Sequence, residues 1–141
     1  MAFYRKHGWD FSRIEKLPTE WGKFKKITPM GIANIILNWF VLGFIKGGGQ
    51  TDASRGGWKP RKNNKDSGRP ILVKTGKLFR DLRRRKTTFK EIIVGTSGKL
   101  PYDDAHNEGI GHMPKREYIG ESRELERAIE KHLDRQMNKL M

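Results

Sequence analysis

The residues that could do chemistry are concentrated between Tyr102 and Gly120, a stretch that reads YDDAHNEGIGHMPKREYIG. His106 and His112 lie on either side of two glycines, with Glu108 between them. A helical zinc site usually places its histidines three or four residues apart on one face, and thiolates are the other common ligand. The chain has no cysteine. We therefore predict no metal site here and a structural or surface role for each histidine.

The same stretch also lacks a convincing catalytic pair. Asp103 and Asp104 offer carboxylates, but no defined base or nucleophile accompanies them. His106-Asn107 resembles a nuclease histidine, yet no second histidine follows at a matching spacing on a helix. A phosphate-binding glycine loop opens a helix, whereas Gly47-Gly48-Gly49 follows one. The sequence therefore favours a protein that is not an enzyme, with no catalytic residues, cofactor or metal.

Charge is distributed unevenly along the 141 residues, whose net charge is +14. Residues 46–90 carry fifteen Lys and Arg against three acids, whereas residues 91–141 carry eight against ten. Such a cationic segment suits nucleic acid, a membrane surface or an acidic protein. No aromatic residue is interleaved in its densest run to stack on single-stranded bases, so duplex phosphate or acidic side chains are the expected partners. The run that we expect to face this polyanion is Arg80, Arg83, Arg84, Arg85 and Lys86.

The first 26 residues mix aromatic and charged side chains at no clear period. We predict that residues 1–26 form an N-terminal arm, which packs on another surface such as a neighbouring subunit. The start, MAFYRKHGWDF, is basic but has no apolar run behind it, so it does not match a secretory signal. We expect the protein to be made in the cytoplasm.

A long apolar helix is predicted next, with Thr28 as its N-cap and Pro29 at its first position. It ends at residue 46, because the three glycines that follow allow a left-handed turn. A membrane span needs about 20 apolar residues, but the apolar segment from residue 30 to residue 45 is shorter and contains Asn34 and Asn38. We therefore expect no membrane contact and a helix buried between its own sheet and another subunit.

The rest of the chain predicts an α+β domain over residues 27–141. Residues 47–70 read as an extended basic loop that becomes ordered on a partner through Trp58. A small antiparallel sheet should include a hairpin with its turn near Thr87-Thr88 and a strand from Lys90 to Thr96. The last helix is amphipathic, is capped by Ser122, and has a buried stripe formed by Leu125, Ile129, Leu133 and Met137.

Several short motifs occur in a fixed order along the chain. They are GW-x-PR (57–61), ILVKTG-x-L (71–78), IIVGT (92–96), Y-x-x-A-HNEG (102–109) and MP-x-R-x-YIG-x-S (113–122). Over about residues 35–141, this succession resembles the Mu-like phage virion morphogenesis family, the tail-completion or neck proteins of tailed bacteriophages.

The resemblance implies a structural virion protein, made in the host cytoplasm, that joins the head connector to the tail as a ring around the DNA channel. It implies four kinds of partner: further copies of the chain in a cyclic homo-oligomer, a hexamer by family resemblance; head connector or adaptor proteins; tail terminator or tail-tube proteins; and genomic duplex DNA, contacted without sequence specificity.

A ring requires a heterologous interface, in which one patch meets a different patch on the next copy. We assign to that interface Trp39, Phe40, Phe44, Trp58, Pro60 and Arg61. On this resemblance, the stretch with the two histidines becomes an architectural corner, built by Tyr102, His106, Asn107, Gly109, Pro114, Arg116 and Gly120. The same resemblance implies a short strand from Glu117 to Ile119, which leads into the last helix. The alternative, supported by the charge and the histidines, is a small basic nucleic-acid-binding protein or nuclease involved in DNA packaging.

Overall fold

The computed structural model describes residues 2–54, 57–58, 77–100, 103–109 and 115–140. The chain is an α+β protein in which helices cover one face of a small antiparallel sheet. In chain order its elements are β1 (Phe3–His7), α1 (Ser12–Glu15), α2 (Pro18–Lys46), a 3-10 turn (Asp52–Ser54), α3 (Lys77–Asp81), β2 (Arg83–Thr87), β3 (Glu91–Gly95), α4 (Asp103–Glu108) and α5 (Arg123–Leu140).

The sheet has the strand order β1-β3-β2, so β3 is its central strand. Strands β2 and β3 form the predicted hairpin, and the backbone N–H of Thr88 donates to the carbonyl of Glu91 at 3.0 Å in its turn. On the other side of β3, the whole of β1 pairs antiparallel, from Phe3 opposite Gly95 to His7 opposite Glu91.

The predicted N-terminal arm is therefore wrong as a structural unit. Residues 3–7 are an edge strand, and Phe11, Ile14 and Phe24 belong to the core. The boundary predicted after residue 26 falls inside α2. The pattern was missed because β1 is only five residues long and its period of two shows mainly in Tyr4, which is buried between two exposed neighbours.

Helix α2 begins at Pro18 rather than at Thr28-Pro29, and Pro29 lies inside it. Both prolines are compatible with a first helical position, so the sequence alone does not separate them. An internal proline costs about 3 kcal/mol, and burial of the flanking side chains of Phe24 and Ile32 offsets that cost. The predicted end is confirmed, because Gly47 takes a left-handed φ of 74° and its N–H donates to the carbonyls of the last turn.

The core lies between α2, α5 and the inner face of the sheet. The predicted stripe on α5 is confirmed as buried, and the hydroxyl of Ser122 accepts from the backbone N–H of Leu125 at 3.3 Å as the N-cap. These side chains pack in one cluster with apolar residues of α2 and β3. The fully enclosed members of the cluster include Ile32, Ile36, Phe40, Phe44, Ile92, Val94, Tyr118, Leu125 and Ile129.

Two further predictions differ from the structure or lie outside it. Residues 117–119 do not form the predicted strand, and a bend occupies residues 118–120. Of the predicted loop 47–70, the structure describes residues 47–54 and 57–58, and Trp58 is buried in the chain's own core. By length and composition alone α2 could cross a membrane, but core helices meet the same criterion and one side of α2 packs on the sheet and α5.

Candidate functional site

The sheet has two faces of opposite character, set by its register. Cross-strand neighbours share a face, and the buried residues Tyr4, Ile92 and Val94 mark the inner rows. The alternate rows form the outer face, whose residues on the two edge strands are all exposed. Its members are Phe3, Arg5 and His7 on β1, Arg83 and Lys86 on β2, and Glu91, Ile93 and Gly95 on β3.

A carboxylate from β3 connects the two edge strands on this outer face. One oxygen of Glu91 accepts from Nε of Arg5 at 2.7 Å, and the other accepts from Nζ of Lys86. The hydrogen bonds from Lys86 and then from Arg5 lower the pKa of Glu91, so this group stays ionised and orients both cations. Both basic side chains remain about half exposed to solvent.

The predicted basic run does not form one cluster. Arg83 and Lys86 lie on the outer face, and Nε of Arg83 donates to the carbonyl of Arg80 on α3 at 3.1 Å. Arg84 points the other way, toward α2, where its guanidinium donates to the amide oxygen of Asn34 at 2.7 Å. The run therefore divides between two sides of the hairpin.

Arg85 accounts for the division. It occupies an irregularity in the β2–β3 register, between Arg84 and Lys86. Its Nε donates to the carbonyl of Gly95 at 3.0 Å, and its terminal nitrogen reaches the carboxylate of Asp81 at 3.4 Å. A bulge of this kind shifts the alternation of the strand by one residue, so a count of charges along the sequence cannot assign each one to a face.

The predicted interface aromatics on α2 lie mainly inside the chain. Phe40 and Phe44 are fully buried, and their rings pack on Tyr4 at 5.4 Å and on Tyr118 at 5.3 Å respectively. Trp39 is half-buried and donates through its indole N–H to a backbone carbonyl of the segment after α2. For Phe40 and Phe44 the prediction of an exposed interface is wrong, because a helix that is apolar on all sides does not reveal which side its own core covers.

Trp58 is likewise a core residue in the structure. It is 7% exposed, its ring packs edge-on against Phe44 at 5.7 Å, and its indole N–H donates to the carbonyl of Glu117 at 2.9 Å. It therefore anchors its segment to its own chain rather than to a partner. Pro60 and Arg61, which were assigned to the same interface, lie outside the described residues.

At the predicted corner, Asn107 connects α4 to the segment that precedes α5. Its side-chain oxygen accepts from the backbone N–H groups of Tyr118 and Ile119 at 3.0 and 3.1 Å. The carbonyl of His106 accepts from the backbone N–H of Arg116 at 2.8 Å. Burial, and then the charge of Arg116, lowers the pKa of His106, which favours a neutral imidazole.

The glycines of the corner allow this close packing. Gly109 has a φ of +72°, and a Cβ there would lie 3.0 Å from the backbone nitrogen of Lys115. Gly120 lies in the bend beside the side chain of Glu117. Tyr102 and Pro114 lie outside the described residues. Within the described part of the chain, no three His, Asp or Glu side chains come together as metal ligands would.

Sequence reasoning missed Arg5, Glu91 and Ile93 as members of one surface. The available signal was the pairing of two short alternating segments, FYRKH and EIIVG, which are distant in sequence.

Comparison of the chain with protein-family models, with curated proteins and with solved structures found no match.

Proposed function

We propose that this chain is a structural virion protein of a tailed phage that forms a ring around the DNA channel at the head–tail junction. The family is taken from the ordered motifs of the sequence. Its partners under this proposal are further copies of itself, the head connector on one side and the tail proteins on the other. It acts by assembly rather than by catalysis.

The observation that carries this proposal is the outward side of α2. Ile27, Met30, Leu42 and Ile45 are all large apolar side chains with more than a third of their surface exposed. At about 100° per residue these four positions fall within a stripe roughly 120° wide, and the stripe runs for about 27 Å along the helix. Within that stripe the apolar side chains form two pairs, Ile27 with Met30 and Leu42 with Ile45, separated by the exposed Asn34 and Asn38. Large exposed apolar side chains on one side of a helix are typical of a protein–protein contact.

A second copy of the chain is the occupant that suits this stripe, because ring closure requires each subunit to present an adhesive patch to the next. The contact would bury the four exposed side chains in place of Phe40, Phe44 and Trp58, which already serve the subunit's own core. Asn38, which is exposed, lies between the apolar residues of the stripe and would set its register, whereas Asn34 already accepts from Arg84 of β2.

Native mass measurement and electron micrographs of the purified full chain test the proposal. We expect closed rings, six-fold by the family resemblance, with no cleavage of DNA in the presence of magnesium. A monomer at all concentrations that cuts DNA would contradict both the ring and the absence of catalysis.

The second candidate is a small basic nucleic-acid-binding protein that acts in DNA packaging, and the cationic outer face of the sheet favours it. The two candidates differ in oligomeric state. A monomer that binds DNA without forming rings would favour this one.

A further inference from the structure

The outer face of the sheet brings together cations that the sequence keeps far apart. Arg5 of β1 and Lys86 of β2 flank Ile93 of β3 in one row, and Arg83 lies next to Gly95 in an adjacent outer row. Neighbouring strands are about 4.8 Å apart and alternate residues about 7 Å apart. The three exposed side chains therefore start within a patch roughly 12 Å across, small enough for all of them to contact one length of polyanion.

This patch is only partly neutralised by the chain itself. Glu91 is the one carboxylate in the described outer rows, and it is shared between two cations. The guanidinium of Arg5 has five N–H donors, of which Nε is the one described as bonded to Glu91.

We propose that this face binds the phosphate backbone of duplex DNA. Duplex DNA carries one negative charge per about 1.7 Å of its axis, a continuous density that matches a surface with several cations and one shared carboxylate. Arginine forks and lysine ammonium groups are the side chains that bind phosphate most strongly. The choice of duplex DNA rests on the proposed function, in which the ring surrounds a channel for genomic DNA.

The composition of the face also predicts how it binds. The outer rows present no Asn or Gln to read base edges, so the protein meets the DNA backbone and shows no sequence preference. Phe3, the one Phe, Tyr or Trp side chain in these outer rows, lies at the corner of the sheet and is 52% exposed. Backbone binding to a duplex does not require it, whereas a single strand would stack a base on it.

Two triple variants of the full chain test the proposal with equal loss of charge. The first replaces the outer-face cations, Arg5→Gln, Arg83→Gln and Lys86→Gln. The control replaces three exposed cations of α5, Lys131→Gln, Arg135→Gln and Lys139→Gln. Both lower the net charge by the same amount, so a general charge effect acts on them alike.

Binding of a generic duplex is titrated at several salt concentrations. For the outer-face variant, the slope of log affinity against log salt falls by up to about 2.7, at roughly 0.9 for each phosphate that is no longer neutralised. The control keeps the wild-type slope, and other cations leave residual binding in both. Equal slopes for the two variants overturn the proposal.

Two single variants sharpen the assignment. Glu91→Gln removes the carboxylate that competes with phosphate for Arg5 and Lys86, so duplex binding tightens several-fold at low salt; weaker binding overturns the role of these two cations. Phe3→Ala leaves duplex affinity unchanged. A loss of affinity in Phe3→Ala, with single strands preferred over duplex, assigns the face to single-stranded nucleic acid and contradicts the proposal.

Failure of this inference is separable from failure of the ring. Native mass is measured on the same samples. Rings with equal salt slopes in the two triple variants overturn the DNA-binding face alone, whereas monomers with a reduced slope in the outer-face variant overturn the ring and leave the face. Binding of polyglutamate, but not of duplex, through the same three residues would assign the face to an acidic protein and overturn the proposal.

Discussion

The two long helices pack against each other, yet they present opposite surfaces to solvent. The exposed side of α5 is almost entirely charged, and its apolar residues are confined to one stripe. The exposed side of α2 is mixed: it carries Ile27, Met30, Leu42 and Ile45 together with Lys23, Lys26, Asn34, Asn38 and Lys46. Both helices bury their inner faces in the same core, so the difference lies wholly in what each offers outward.

This difference shows which helix is complete in a single subunit. A charged outer face is hydrated at little cost and needs no partner, whereas an apolar outer face gains free energy only when another surface covers it, by about 25 cal/mol per Å² buried. By this criterion α5 serves the fold of one chain. Helix α2 serves that fold on one side, and in the proposed ring its other side would contact the next copy.

The largest effects should come from the inner faces, where the two helices are alike. Ile36→Ala in α2 and Ile129→Ala in α5 each remove a fully buried side chain and should lower the free energy of unfolding by about 2–5 kcal/mol. Denaturant titration of each variant measures the loss. The control is Glu130→Ala on the exposed face of α5, which should stay within about 0.5 kcal/mol of wild type.

A cost below about 1 kcal/mol for Ile36→Ala, with the full cost for Ile129→Ala, would break the equivalence of the inner faces. It would mean that α2 is not packed on the core of the isolated subunit.

The contrast between these helices also explains what the sequence could predict. Helix α5 was predicted with its N-cap and buried stripe, because each turn separates apolar from charged residues. The predicted start of α2 was wrong, because Pro18 and Pro29 are equally good first positions of a helix. The helix begins at Pro18, and Phe24, which lies before Pro29, is buried in the core. Its inner and outer faces could not be told apart, since both are apolar.

The outer face of the sheet was less predictable still. The hairpin was expected from local signals, but the third strand, β1, pairs with residues nearly ninety positions away, and no local pattern records such a pairing. The register irregularity at Arg85 then reverses the faces of the neighbouring charges. A run of basic residues predicts a polyanion partner, and only the register shows which of the cations share a face.

A smaller effect is expected at the crossing of the two helices, where pH acts on α5. His132 lies against Gly31 of α2, and a Cβ at that glycine would be 3.0 Å from its Nε2. Burial, and then the charge of Arg135, lowers the pKa of His132 in the folded state below its ordinary value. The stabilising contribution of the neutral imidazole is therefore complete above the unfolded pKa of about 6.5 and is lost as pH falls through that value toward the folded pKa.

Denaturant titrations at neutral and mildly acidic pH measure this contribution. Wild type should lose stability between the two conditions, and His132→Gln should lose less, because its side chain does not titrate. His106, whose pKa is also lowered, accounts for the part that remains. An identical loss of stability in wild type and His132→Gln would mean that His132 does not contribute to the pH dependence, and His106 at the corner would be the remaining candidate.

The smallest change in stability is expected on the outer face of α2, and there it should coincide with the largest change in assembly. Ile27→Ser and Ile45→Ser alter side chains that are 54% and 65% exposed, so the free energy of unfolding of the isolated subunit should stay within about 0.5 kcal/mol of wild type. Self-association should weaken, because a serine hydroxyl in a closed interface must be desolvated. The matched control is Glu130→Ser together with Lys131→Ser on the exposed face of α5, which should change neither quantity. Sedimentation at several protein concentrations, run beside the denaturant titration, separates the two readouts. If the α2 variant and the α5 control both associate as wild type does, the apolar side chains of α2 are not the contact between subunits. The contrast between the two helices would then concern only the hydration of their exposed sides.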